Sequence, residues 1–114
     1  MNDCIFCKIA AKQIPAQLVH EDDQCIVFRD ISPKAPTHWL IVPKRHVERL
    51  SDLTAADGPL LGHLMATVIA MARQAGVSES GYRTVINTGA DGGQTVSHLH
   101  LHLFGGRAMH WPPG

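Results

Sequence analysis

The chain has 114 residues with ten basic and ten acidic side chains and no net charge, so it carries no positive field of the kind that binds nucleic acid polymers or anionic membranes. Hydrophobic residues make up 45% and charged residues 18%, the balance of one globular domain over residues 1–114 with a modest core. No apolar run approaches the roughly 18 residues that span a bilayer, MNDCIFCKIA lacks the regions of a signal peptide, and three cysteines do not make a secreted disulfide framework, so a cytoplasmic protein is expected.

Cys4–Lys12 is predicted as a short helix with Ile5, Phe6 and Ile9 on its apolar side, ended before Pro15. Leu18–Glu21 and Cys25–Asp30 read as two strands of a hairpin around Asp22-Asp23-Gln24. THWLIVP, residues 37–43, is a nearly continuous apolar run of strand length and reads as a central strand. A long helix follows, with Leu61, Leu64, Met65, Val68 and Ala72 at helical spacing on one face and Gly76 as its stop. Thr54 with Asp57 caps its approach, and Pro59 suits its first turn. Tyr82–Thr88 and Val96–Phe104 are the last two strands. Short connections make the sheet mostly antiparallel, with about five strands and two helices packed on it, an α+β fold.

Ser97–Phe104 reads SHLHLHLF. Alternation at this length marks a half-buried strand: the leucines face a core, and His98, His100 and His102 share the other face, roughly 6 to 7 Å apart. Three groups titrating near neutrality suit metal binding or phosphate chemistry better than a solvated face. Just upstream, Gly92 and Gly93 can take positive φ, so that their N–H groups converge on an anion as a nest. Gln94, Thr95 and Ser97 add neutral donors.

His98-Leu99-His100-Leu101-His102-Leu103-Phe104 resembles the histidine triad motif of the HIT superfamily. IFCKI, FRDISPKAPTHWLIVPK, INTGADGGQ and the closing GGRAMHWPPG make nearly the whole chain most similar to its Hint branch, nucleoside phosphoramidases that hydrolyse P–N bonds of nucleotide amidates. The resemblance implies a HIT-like fold and a catalytic set of His100, His102, His38 and His98. His100 matches the nucleophile that becomes transiently nucleotidylated, a role in which neutral imidazole splits one hard step into two. His38 and His102 match the histidines that contact phosphate oxygens or assist proton transfer to the leaving amine. Asn87, Gly93, Gln94 and Thr95 match the neutral phosphate and leaving-group contacts, and Asp30 the carboxylate that accepts the ribose hydroxyls. Ile5, Phe6, Ile9, Phe28 and Ile31 match the apolar clamp on the base, although periodicity alone makes them ordinary core. The implied ligand is a purine nucleoside monophosphate or its phosphoramidate, bound by a homodimer in which the tail carries Trp111 to the partner's pocket.

Cys4-Ile5-Phe6-Cys7 is a C-x-x-C. No thioredoxin-like βαβ pattern follows it, which leaves two unrelated thiols or half a zinc site completed elsewhere. The resemblance implies the second, because some bacterial HIT proteins hold structural zinc through such a pair and two histidines that match His46 and His98 here. Catalysis itself needs no cofactor on this reading. His20 and His63 read as surface or satisfied core histidines, and Cys25 as a small core residue.

Three rivals remain at this level. A dinucleoside polyphosphate hydrolase of the Fhit branch shares the triad but not the WPPG ending. A zinc-dependent hydrolase would use the H-x-H pair as catalytic ligands. A nucleotide-binding interaction module with incidental turnover would use the same pocket.

Overall fold

In the structure, a computed structural model describing residues 3–114, Asp22 closes the first hairpin. Its Oδ1 accepts from the backbone N–H groups of Gln24 and Cys25 at 2.8 and 2.9 Å, the Asx turn that the Asp-Asp-Gln stretch encodes. The flanking strands are β1 (Leu18–Glu21) and β2 (Cys25–Arg29); β3 (Thr37–Pro43), β4 (Tyr82–Val85) and β5 (Leu101–Gly105) complete one sheet. All its pairs are antiparallel, in the order β1-β2-β3-β5-β4. The apolar run 37–43 therefore lies at the sheet's centre, as its lack of alternation requires. A short helix, α1 (Ile5–Ala10), and a long one, α2 (Gly58–Gln74), cover the two faces.

The pleat divides the core. Val27, Trp39, Ile41, Leu101 and Leu103 pack against α2 through Leu64, Val68, Met71 and Ala72. Ile26, Phe28, Leu40 and Val42 point the other way and meet Phe6 and Ile9 of α1. On α2 the buried stripe runs through Leu64, Thr67, Val68, Met71 and Ala72. Met65, expected on that stripe, is 43% exposed, because the sheet takes the face one residue round. The segment Ala55–Gln74 is by length and composition apolar enough to cross a membrane, which the run-length reading overlooked. The capping box expected of Thr54 and Asp57 forms on the 3₁₀ turn Ala55–Asp57 that leads into α2.

Several boundaries differ from the sequence reading, by one residue at Ile5, Arg29 and Gly105 and by more at three places. The first helix stops at Ala10, and Lys12 takes φ 63° before Pro15. The fourth strand ends at Val85. The last begins at Leu101, because Ile41 is the final residue of β3 that it pairs with. Upstream of that point Leu99 N–H donates instead to Val47 O at 2.7 Å, and residues 98–100 are buried on both sides.

Candidate functional site

β3 and β5 set His38 opposite Phe104 and Leu40 opposite His102, on the face that α1 covers only in part. His38 is buried, its ring 4.2 Å from that of Phe104. Its hydrogen bonds fix its tautomer. Lys34 N–H donates to His38 Nδ1 at 3.1 Å, so the His38 proton sits on Nε2 and is given to His102 Nδ1 at 3.0 Å. His102 then carries its own proton on Nε2. Asp30 Oδ2 stands 3.5 Å from His38 Nε2, while Oδ1 accepts from Ser32 N–H at 2.8 Å.

His98 and His100 precede the strand and part ways. His100 Nδ1–H donates to His98 O at 2.7 Å, which leaves Nε2 as an unprotonated nitrogen. The His100 ring lies 5.0 Å from those of both His102 and Phe6. His98 Nε2–H donates to Pro43 O at 2.8 Å, so its lone pair is on Nδ1, 3.2 Å from Cys4 Sγ. One common histidine face is thus a correction: His98, counted among the catalytic histidines, faces the cysteines. Burial lowers the pKa of His38, His98 and His100, and burial followed by the charges of His100 and His38 brings His102 down to about 4. All four are neutral at pH 7.

The loop before the triad is built differently from the expected nest. Gly93 has φ 77°, but its N–H is spent on Ala90 O and that of Gln94 on Gly89 O. Gly92 lacks a positive φ; it is needed because a Cβ there would lie 2.4 Å from Thr88 O. The Gln94 side chain, expected on phosphate, is engaged within the loop. It accepts from Gly89 N–H at 3.0 Å and donates to Glu48 O at 2.7 Å and Val96 O at 3.0 Å. Thr95 is exposed and Asn87 half-buried.

A cleft of about 1050 Å³ opens at the Asp30 end of the sheet, with Leu18, Asp30, Ile31, Pro36 and His38 among its walls. His100 and His102 are not among them. The expected apolar clamp divides. Phe6, Ile9 and Phe28 are buried in the α1 core, as their periodicity suggested, whereas Ile5 is 48% and Ile31 100% exposed. Trp111 is 83% exposed.

Cys4, Cys7, His46 and His98 bring one donor atom each within 4.8 Å of the others. Cys7 Sγ lies 3.2 Å from His46 Nδ1 and 3.5 Å from His98 Nδ1. A tetrahedral zinc ion, with bonds near 2.3 Å to sulfur and 2.05 Å to nitrogen, has S–N edges of about 3.6 Å. The donor set fits. The Pro43 carbonyl on His98 Nε2 supplies the outer contact that orients a metal-bound imidazole.

Residues that sequence reasoning passed over are those acting through the main chain. Lys34 N–H, Pro43 O and His98 O set three tautomers, and no side chain announces them. Arg107 Nε–H donates to Lys34 O at 2.8 Å, tying the tail to the loop that holds His38.

The HIT domain family model matches residues 11–109. An uncharacterized HIT-like protein of Synechococcus elongatus is 57% identical over 113 residues, covering 99% of this chain and 98% of that protein. The fold is similar to a HIT family hydrolase from Legionella pneumophila, with TM-score 0.97, 50% identity, and 98% of this chain and 100% of that chain covered. It is similar also to a histidine triad nucleotide-binding protein from Candida albicans, with TM-score 0.83, 30% identity, and 96% and 83% covered.

Proposed function

Because the chain belongs to the HIT domain family, we propose that it is a nucleotide-binding hydrolase of the Hint branch, cleaving purine nucleoside 5′-phosphoramidates through His100. The observation that carries the reading is the His100 tautomer. Its Nδ1–H is held by a backbone carbonyl, so a neutral, unprotonated Nε2 is ready at pH 7 without a separate base.

In the proposed reaction His100 Nε2 attacks the α-phosphorus and the P–N bond breaks. The bonding pair leaves with the amine, which takes up one proton from solvent as His102 Nε2–H, on a ring 5.0 Å from that of His100, hydrogen-bonds the departing nitrogen. Water then attacks phosphorus, expels His100 and returns one proton. His38 holds the His102 tautomer, Thr95 and Asn87 contact the phosphate, and Asp30 accepts the ribose hydroxyls beside Ile31 and Ile5. Trapping the enzyme with an AMP amidate and mapping the nucleotidylated residue tests the reading. A modification anywhere but His100 overturns it.

Zinc is proposed as structural, held by Cys4, Cys7, His46 and His98, whose spacing fits it. When bound it supplies a cross-link between the start of α1, the chain at His46 and the segment before β5. The working unit is proposed to be a cytoplasmic homodimer. Exposed Met65 and Ile69 of α2 and Tyr82 of the edge strand β4 support that assembly.

A further inference from the structure

On the sheet face opposite His38 and His102, a second group of metal-type donors meets at the hairpin turn. Asp22 Oδ2 accepts from His20 Nε2 of β1 and from His63 Nε2 of α2, at 2.9 Å each. Cys25 Sγ of β2 lies 3.6 Å from the same oxygen. The donor atoms of His20, Asp22 and Cys25 all fall within 4.8 Å of one another. The proposed hydrolysis uses none of them.

We propose that His20, Asp22, Cys25 and His63 form a second transition-metal site, taking a borderline divalent ion such as zinc or cobalt independently of the Cys4–Cys7 cluster. The chemistry of the set matches: two imidazoles, a carboxylate and a thiolate are ligands that such ions accept in a tetrahedral shell. So do the edges. Ideal metal–ligand bonds give N–O separations of about 3.3 Å and S–O separations of about 3.5 Å. Those observed are 2.9, 2.9 and 3.6 Å, so at the carboxylate the imidazoles need only draw back by a few tenths of an ångström. His63, which lies outside the set within 4.8 Å, must in addition swing toward His20 and Cys25 to close the shell. The position is reachable from solvent, since the side chains of His20, Asp22 and His63 are 35%, 28% and 32% exposed. Cys25 closes it from the core, at 0% exposed.

Without metal, both imidazoles carry their protons on Nε2 and donate to the carboxylate. On binding, each proton moves through solvent to Nδ1 of the same ring, which is neutral in the balance. The Cys25 thiol, pushed up to about 11 by burial, loses its proton to solvent as the metal–sulfur bond forms. One proton is released per ion, no oxidation state changes, and a divalent ion with thiolate and carboxylate is a neutral unit. Lys44 is the cation acting on the Cys25 sulfur, and its ammonium is already held by Glu21 Oε2 at 2.8 Å.

Cobalt(II) as the sole added ion tests the proposal on the full chain carrying Cys4→Ser and Cys7→Ser, where Cys25 is the one thiol of the three left. We expect one equivalent bound with a sulfur-to-cobalt absorption band, removed by adding Cys25→Ser. His20→Gln and His63→Ala should each weaken uptake by more than about 100-fold, the upper end of what loss of an outer partner costs. Wild type holding a single equivalent of zinc, at the Cys4–Cys7 cluster, should take up one equivalent of cobalt with the same band, which keeps the test open if the double variant folds poorly. Cobalt uptake with no band, a band that survives Cys25→Ser, or affinity unmoved by both histidine variants overturns the site.

Discussion

His38 Nε2 lies 3.0 Å from His102 Nδ1, while Lys34 N–H occupies the other nitrogen of His38 at 3.1 Å. These two bonds leave one tautomer for each ring. A backbone amide in the loop before β3 thereby decides which nitrogen of His102, on β5, carries a proton. Asp30, 3.5 Å from the same His38 nitrogen, connects this pair to the cleft wall. The central pairing of β3 with β5 is what brings the two rings together.

The histidines should therefore divide by role. His100→Ala should abolish hydrolysis of an AMP amidate and trapping of the intermediate. His102→Ala should lose about 10²–10⁴-fold, the usual worth of a positioned acid. His38→Ala should lose less, since it acts through His102, and should alter the pH profile of kcat. Steady-state rates with one amidate check all three, and a fully active His100→Ala protein contradicts the assignment.

The sequence made the strands around Thr37–Pro43, the long helix and the histidine alternation legible, because each rests on side-chain periodicity. It placed His98 and His100 in the last strand wrongly. The pairing of β5 with β3 ends at Ile41–Leu101 although β3 itself continues to Pro43 beside β2, a tertiary limit with no local signal. The loop misled for a related reason. Gly93 and Gln94 look like anion donors, yet their N–H groups close the loop on itself, and the Gln94 amide ties it to Glu48 O. The four-ligand cluster was legible only through resemblance, since its histidines lie 39 and 91 residues from Cys7.

Acid should destabilise the fold through His102. Its folded pKa of about 4 lies below the ordinary value near 6.5, so the unfolded chain takes this proton first. The stabilisation is complete above about pH 6.5, is lost as pH falls toward 4, and changes no further below that. His38, also lowered by burial, acts in the same sense. The Tm of a His102→Asn variant should fall less steeply than that of the wild type across this window. Parallel curves would remove His102 as a cause.

Chelation should lower the Tm more than it lowers activity measured well below melting, since the cysteine cluster joins α1 to the segment before β5 and touches His100 only through the backbone carbonyl of His98, on the nitrogen away from Nε2. Protein purified without chelator should hold close to one zinc at this cluster, and Cys7→Ser should reproduce the chelated Tm. Zinc below about a tenth of an equivalent counts against the structural role, given the tight binding of such sites.

The tail is tied to its own chain at two points. Arg83 of β4 donates to His110 O at 2.9 Å, and Arg107 donates to Lys34 O in the loop that fixes His38. Beyond these anchors Trp111 is 83% exposed, an apolar ring normally buried on one face. The edge strand β4 and the exposed α2 residues Met65 and Ile69 lie available for a self-complementary contact. A second copy there would give the indole a surface and place it near the partner's leaving group. Deleting Met109–Gly114 should therefore change the ratio of kcat/KM between bulky and small amine leaving groups while His100 is still nucleotidylated. Sedimentation of the full chain should show a dimer at micromolar concentration. A monomer there, with leaving-group preference unaltered by the deletion, defeats the idea.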